Sequence, residues 1–310
     1  GAVGLPAELV ASLHATEFKG YENLDVDGCK ILAILKDGQP VQQLLVGEQG
    51  AIILDRTPFY AESGGQIGDS GVLCSSSGQQ FLVSDTQKLS VNLFGHIGEA
   101  LSGNFSVGDK LSARVDSKRR QATVINHSAT HLLHAALRKV LGEHVSQKGS
   151  LVNTERTRFD FSHFQAISVE QLSEIEVLVN NAIRANAEAE VHHMGMQEAI
   201  EFGAMALFGE KYGERVRVLK MGEFSTELCG GTHAHRTGDI GLFKIISEAG
   251  IAAGVRRIEA VTGSNALASY KHSEQVLNQV ASLVNGRSQD VLDKINQLLE
   301  RQKKLEQELD

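Results

Sequence analysis

The chain has 310 residues, 42% of them hydrophobic and only 3 of them proline, enough apolar material for a sizeable core and too much for a disordered tail. Its 30 basic and 38 acidic residues leave a formal charge of −8, which excludes adhesion to phosphate backbones through a global positive field and confines any nucleic-acid contact to a local patch. Cys29, Cys74 and Cys229 form no CxxC pair, no charged-then-apolar leader opens the chain, and polar residues interrupt every hydrophobic run well before about 18 residues. A cytoplasmic, reducing setting with no membrane association is expected. The Gly-Ala-Val start, in place of methionine, reads as that of a piece cut from a longer protein.

From Cys29 to Asp116 short apolar runs such as Ile31-Leu32-Ala33-Ile34-Leu35 and Ala51-Ile52-Ile53-Leu54 alternate with Gly and Asp-Gly signals, the pattern of a small antiparallel β-barrel. Asp37-Gly38 predicts a hairpin turn into a strand over 41–46, and Val107-Gly108-Asp109 leads into a final strand over 111–115. Near Arg120 the period changes from two to about 3.6. There Ala122, Ile125, Ala129, Leu132, Leu133, Ala136, Leu137 and Leu141 form one apolar stripe, so a long helix opens a second domain. Ser168 and Gln171 have capping-box spacing ahead of Leu172, Ile175, Leu178, Val179, Ala182 and Ile183, which predicts another helix. Strands are expected at 215–221, 242–247 and 257–261, and their mixture with helices makes the fold class α+β, a sheet backed on one face by helices.

After Thr262-Gly263 the composition shifts to Gln, Lys, Glu and Leu. A helix over about 265–284 breaks at Asn285-Gly286 and restarts with Ser288 as its cap. Val291, Ile295, Leu298, Gln302, Leu305 and Leu309 then recur at alternating spacings of four and three, a coiled-coil seam with one polar position. The pair predicts a C-terminal helical hairpin that packs on the body or on a partner.

His127 and His131 stand at i and i+4 on the long helix, where both imidazoles project from one face and can share a metal ion. An isolated HxxxH more often has one packed and one solvated histidine. Cys229-Gly230-Gly231-Thr232-His233 changes that balance, because two glycines let the backbone fold tightly enough to aim a thiolate and an imidazole at one point. A Cys/His₃ set suits tetrahedral Zn²⁺. Ser128 stands where a zincin protease carries its glutamate base, which disfavours a metalloprotease. His134 extends the same face at i+7 and is assigned to support a ligand or to pack in the core, while His192, His193 and His235 read as surface or packing residues.

Four segments carry a resemblance: Thr57-Pro58-Phe59-Tyr60-Ala61-Glu62-Ser63-Gly64-Gly65-Gln66, Asn126-His127-Ser128-Ala129-Thr130-His131, Gln147-Lys148-Gly149-Ser150 and Cys229-Gly230-Gly231-Thr232-His233. Together they resemble the editing domain of the alanyl-tRNA synthetases, shared with the free-standing AlaX deacylases. The threonyl-type editing domain is similar in its HxxxH and CxxxH pairs, but the glycine-rich upstream segment is an alanyl-type feature. The chain then divides into a linker helix over 1–20, a glycine-rich β-barrel over 21–119, a zinc-binding editing core over 120–264 and a helical coiled-coil segment over 265–310 through which copies could self-associate.

The resemblance implies hydrolysis of the ester that joins serine or glycine to the 3′-terminal adenosine of the tRNA for alanine. It assigns zinc to His127, His131, Cys229 and His233, makes Cys229 and Gln147 the catalytic pair, and lets Thr57, Gly64, Gly65 and Gln147 bind the substrate, Thr57 reading the serine hydroxyl. A turn-capping hydroxyl is an equal reading for Thr57, and a tight barrel turn for the glycines. Lys118-Arg119-Arg120 and Arg256-Arg257 are acceptor-stem candidates or else solvated faces. An aminoacylation domain would lie upstream of residue 1, and this chain would neither charge tRNA nor use ATP. Two other readings stay open: a free-standing deacylase, and a zinc-stapled tRNA-binding module without catalysis, since four protein ligands close a tetrahedral site whereas a catalytic zinc keeps a position open.

Overall fold

In the computed structural model, which describes residues 5–206 and 212–309, alternating aliphatic residues close the first part of the chain into a barrel. Strands Asp25–Lys36, Gln49–Leu54, Leu93–Ser102, Gln80–Ser90, Gly71–Cys74 and Lys110–Val115 pair antiparallel in that order. Lys110–Val115 then returns to pair with Asp25–Lys36, so the ring has no free edge along those strands. The antiparallel barrel read from the sequence is present, and Ile31, Ile52, Leu54, Leu73, Phe81 and Phe105 fill it.

Asp37 and Gly38 have φ of +51° and +76°, the two left-handed residues of a type I′ turn, and they set Lys36 opposite Gln39. The strand expected over 41–46 is two short pieces instead, Gln39–Val41 and Gln43–Leu44. Between them Gln42 turns its carbonyl to the Val107 N–H at 3.0 Å, and the chain exchanges its partner for Phe105–Ser106. Helix Ala7–Ser12 precedes the barrel, and Leu9, Val10 and Leu13 pack against Ile53 and Leu93. Residues 1–4 of the expected linker, and the last residue of the expected coiled-coil segment, lie outside the described residues.

Asp116 accepts the Arg119 N–H at 3.1 Å and so caps the long helix Ser117–Leu141. Its apolar stripe packs on Ile175, Val179 and Ile183 of helix Val169–Arg184 and on Phe159, Phe161, Phe243 and Ile258 of a four-stranded sheet. That sheet is antiparallel in the order Gln147–Val152, Thr157–Ser162, Val255–Thr262, Phe243–Ala252. The capping box forms as its spacing predicts, with Ser168 Oγ accepting the Gln171 N–H and Gln171 Oε1 accepting the Ser168 N–H. A second, three-stranded antiparallel sheet joins Ala189–Gly195, Arg215–Met221 and Ser225–Leu228. Its edge strand Ala189–Gly195 carries Glu190, His192 and His193, too polar a run to announce itself as a strand.

The long helix departs from an ordinary amphipathic helix in one respect. Its polar face, Thr123, Asn126, His127, Ser128, Thr130, His131 and His134, is as buried as its apolar face. Arg120 at its start donates to both carboxylate oxygens of Asp69, at 3.1 and 2.9 Å from Nε, to Gly20 O at 2.7 Å and to Pro58 O at 2.8 Å. This buried guanidinium ties the helix to the loops that lead in and out of the barrel.

Residues from Gly263 onward form a second compact unit. It contains helices Gly263–Leu283 and Val291–Leu309, separated by a turn in which Asn285 has φ +53°. Ser288 does not cap the second helix; its hydroxyl donates to Asn278 Oδ1 at 3.1 Å. On the seam, Leu298 and Leu305 are about half exposed, with accessibilities of 51% and 50%. Among the described residues no helix is long and apolar enough to cross a membrane.

Replacing Arg120 with Leu strands the Asp69 carboxylate in the interior, and breaking a buried pair in this way costs about 3–5 kcal/mol. Urea denaturation should show a loss of that size for Arg120→Leu, largely recovered in the double variant Arg120→Leu/Asp69→Leu, and a loss under 1 kcal/mol would mean that the pair is solvent-screened.

Candidate metal centre and its cavity

His127 and His131 lie one turn apart on the long helix, and Cys229 and His233 flank the loop that follows strand Ser225–Leu228. One ligand atom from each of the four falls within 4.8 Å of all the others. His233 Nε2 is 3.2 Å and His127 Nε2 3.6 Å from Cys229 Sγ. His131 Nε2 is buried and has no hydrogen-bond partner among the described residues. All four donors are nearly inaccessible or half-buried.

Each ring is held from behind through Nδ1. His127 Nδ1 is 2.7 Å from Gln66 Oε1, His131 Nδ1 is 3.4 Å from Glu227 Oε2, and His233 Nδ1 is 3.2 Å from Ser128 Oγ. The Nε2 atoms therefore face the common point, which is how histidine ligands are presented to a metal. Two imidazole rings from a helix, one imidazole and one thiol from a glycine loop, all aimed inward, fit a borderline-soft cation such as zinc.

Burial pushes the Cys229 thiol up, but His127, His233 and His131 together outweigh it and hold the thiol well below its ordinary value. Burial draws His131 down, and the charges of Glu227 and Cys229 reverse this and raise it to about 10. For Glu227 burial raises the carboxyl, and the two histidines beside it, His131 and His134, bring it down to about 2. Burial takes His233 down to about 3. Without a cation the cluster thus holds a thiolate and a carboxylate in the interior with the His131 imidazolium between them, a positive charge whose place a divalent cation would take.

The loop between the ligands is clamped from outside. Arg217 Nη1 donates to Cys229 O at 2.9 Å and to Gly231 O at 2.8 Å, Tyr21 donates its hydroxyl to Gly230 O at 2.5 Å, and the Arg217 guanidinium lies 4.1 Å over the Tyr21 ring. Gly231 has no alternative: a Cβ there would sit 2.2 Å from His127 Cε1 and 2.9 Å from Gln66 Oε1. At Gly230 a Cβ would meet nothing within 4 Å.

His127 and Cys229 open onto a cavity of about 690 Å³, whose wall also holds Tyr60, Ser63, Gly64, Gly65, Lys88, Gln147, Arg215 and Arg217. Gln147, Gly64 and Gly65 are thus brought to the same cavity as His127 and Cys229. Gly64 and Gly65, with φ of +57° and +85°, also form a tight turn whose ends Ser63 and Gln66 exchange backbone hydrogen bonds. At Gly65 a Cβ would stand 2.7 Å from Ser150 O, so the turn is pressed against the neighbouring strand.

Thr57 is elsewhere. Its side chain is fully buried beside the barrel, where Oγ1 accepts the Phe59 N–H at 3.0 Å and lies 2.7 Å from His96 Nε2. His96 Nδ1 is 2.8 Å from the Ile52 carbonyl, which only accepts, so Nε2 is the acceptor for the Thr57 hydroxyl. That hydroxyl is spent inside the protein, and Thr57 does not line the cavity. Three arginines of the basic clusters are likewise engaged, Arg120 with Asp69, Arg256 with Glu248 and Arg257 with Asp160, while Lys118 and Arg119 are exposed.

Gln66 and Glu227 escape a search for ligand-type spacing. Glu227 lies two residues before Cys229 and therefore shares its face in an extended segment, a usable signal in the string Glu227-Leu228-Cys229. His134, at i+7 from His127, meets Glu227 Oε2 at 3.2 Å and packs on Phe159, a supporting place rather than a ligand's.

Comparison with known proteins adds two family matches. Residues 6–119 match the model "tRNA synthetases class II (A)", and residues 216–259, which include the Cys229–His233 loop, match "Threonyl and Alanyl tRNA synthetase second additional domain". Across all 310 residues the chain is 61% identical to an alanine–tRNA ligase of Stenotrophomonas maltophilia, 58% to one of Xanthomonas campestris pv. campestris and 57% to one of Xanthomonas oryzae pv. oryzae. It spans 35% of the length of each.

Gly231→Ala should lose bound zinc while Gly230→Ala retains it, as metal analysis after dialysis would read; equal zinc in both would mean that the loop yields to the added methyl. His96 is pulled by burial to about 4, below the 6.5 of an exposed imidazole. Its contribution to stability is intact above pH 6.5 and declines as pH falls toward 4, by about 3 kcal/mol in all. In His96→Gln the acid limb of stability against pH should be flatter by that amount, and an unchanged limb would assign acid sensitivity to other groups.

Proposed function

Because the chain belongs to the alanyl-tRNA synthetase family, we propose that it forms the editing part of such an enzyme, hydrolysing the ester of serine or glycine wrongly attached to the tRNA for alanine. Zinc is the proposed metal, with His127, His131, Cys229 and His233 as its ligands. The observation that carries this reading is the convergence of four inward-facing donors, two of which, His127 and Cys229, line the wall of a cavity that also holds Gln147, Gly64 and Gly65. The acceptor end of the tRNA is the proposed occupant, the parent enzyme the proposed class II ligase, and the cytoplasm the proposed setting.

A bound zinc supplies Lewis acidity, toward an ester carbonyl or toward a water that must become nucleophilic near neutral pH. The chain's own groups do the rest. Gln147 offers an amide that both donates and accepts, and so can hold the aminoacyl group, but it does not titrate and so moves no proton. Lys88 and Arg215 put positive charge on the same wall, suited to the phosphates of a nucleic-acid end. The Gly64-Gly65 backbone comes close without side chains in the way.

Editing is needed because a pocket built for alanine's methyl group admits glycine and rejects serine poorly. A site that hydrogen-bonds the serine hydroxyl leaves its own polar groups unpaired with alanine, which disfavours the correct ester by about 1–3 kcal/mol. Thr57 contributes by position: its buried hydroxyl and His96 hold the start of the segment that leads to Gly64 and Gly65.

The decisive assay compares hydrolysis of Ser-tRNA, Gly-tRNA and Ala-tRNA by the chain as it stands, after chelation, and as Gln147→Ala. Serine and glycine should be lost and alanine spared, with activity abolished by chelation, restored by zinc and reduced at least tenfold in Gln147→Ala. Zinc-replete protein that clears no ester faster than buffer would leave a zinc-stapled tRNA-binding module as the better reading, consistent with four protein ligands closing the site.

A further inference from the structure

Gln66 is fully buried, is not a ligand, and touches both halves of the metal cluster. Its Oε1 accepts the Thr232 backbone N–H at 3.0 Å, and its Nε2 donates to Thr232 Oγ1 at 2.7 Å. A backbone N–H only donates, so the atom facing it is the amide oxygen and the orientation of the amide is determined. The same oxygen is 2.7 Å from His127 Nδ1, which must therefore carry the hydrogen. With Nδ1 protonated, the lone pair of neutral His127 resides on Nε2, the atom that faces Cys229 Sγ.

The placement of Gln66 is built in. The Gly64-Gly65 turn reverses the chain so that Gln66 pairs with Ser63, and the turn docks on the edge of the four-stranded sheet through Val152 N to Gly65 O at 2.7 Å and Ile67 N to Val152 O at 3.0 Å. Gly231 leaves room for the amide, since its Cβ would meet both Gln66 Oε1 and the His127 ring.

We propose that Gln66 is a positioning residue of the metal centre, whose single amide sets the His127 tautomer and registers the Cys229–His233 loop against the long helix. The glycine-rich turn then serves the site through the metal cluster as well as by shaping the cavity. This inference rests on the proposed metal site and concerns how it is presented.

Two measurements on the full chain test it. The first titrates Zn²⁺ and Co²⁺ against a chelating dye and records the visible spectrum of the Co²⁺ form, for the native protein, Gln66→Leu and Gln66→Glu. The glutamate keeps an acceptor oxygen for His127 and Thr232. Gln66→Leu should weaken metal binding about 10–100-fold with an altered cobalt spectrum, and Gln66→Glu should recover the native spectrum and most of the affinity. Native affinity and spectrum in Gln66→Leu would reduce the amide to packing. The second needs no variant: ¹⁵N NMR of the histidine rings of the native, metal-free chain should show His127 as the Nδ1–H tautomer, and an Nε2–H tautomer would overturn the proposal even where Gln66→Leu fails to fold. A native chain that takes up neither metal would instead overturn the metal reading, with the tautomer still deciding the role of Gln66.

Discussion

Three imidazoles and a thiol converge at one buried point, and a buried polar group left without a partner costs about 1–3 kcal/mol. Most of the local architecture answers that constraint. Gln66, Glu227 and Ser128 take the outward nitrogens of the three rings, and the inward nitrogens and the sulfur are left aimed at one another. The long helix accordingly buries two faces: an apolar one against its own sheet and helix, and a polar one that carries His127 and His131 into the cluster and bonds Asn126 and Thr130 to Thr262 and Thr157 of the sheet.

The barrel is more than a neighbour of this centre. Its loops supply Asp69 to Arg120, Tyr21 to the Gly230 carbonyl and Gln66 to His127 and Thr232. Each contact crosses from the barrel side to the helix or to the ligand loop, so the barrel determines where the two ligand pairs stand relative to one another. The cavity has the same composite origin, with Tyr60, Gly64 and Lys88 from the barrel side and Gln147, Arg215 and Cys229 from the other. A ligand entering it meets His127 and Cys229, the two donors of the set that line its wall.

Local chemistry was legible wherever a single residue type sufficed. Asp37-Gly38 made its turn because both positions tolerate positive φ, Ser168 and Gln171 made their capping box because the spacing alone brings the groups together, and 3.6-residue periodicity located the long helix. The two donor pairs were legible for a related reason, since i, i+4 on a helix and CxxxH across two glycines each bring their own two side chains together, whereas their meeting at one point depends on the fold. Thr57 shows the limit. A threonine ahead of a glycine-rich turn looks available for a ligand, and only its contact with His96, 39 residues away, shows its hydroxyl to be occupied. Arg120 and Arg257 likewise looked like phosphate contacts until Asp69 and Asp160 were found facing them.

The sequence by itself determined the barrel, the long helix, the capped helix and the identity of the soft donors, because each follows from periodicity, turn chemistry or short-range spacing. Tertiary structure alone decided which polar residues stand behind those donors, which hydroxyls and guanidiniums are spent internally and which open onto the cavity. Those choices depend on pairs far apart in the chain, such as Gln66 with Thr232, 166 residues on, and no local pattern encodes a hydrogen bond that exists only once two separate elements have docked.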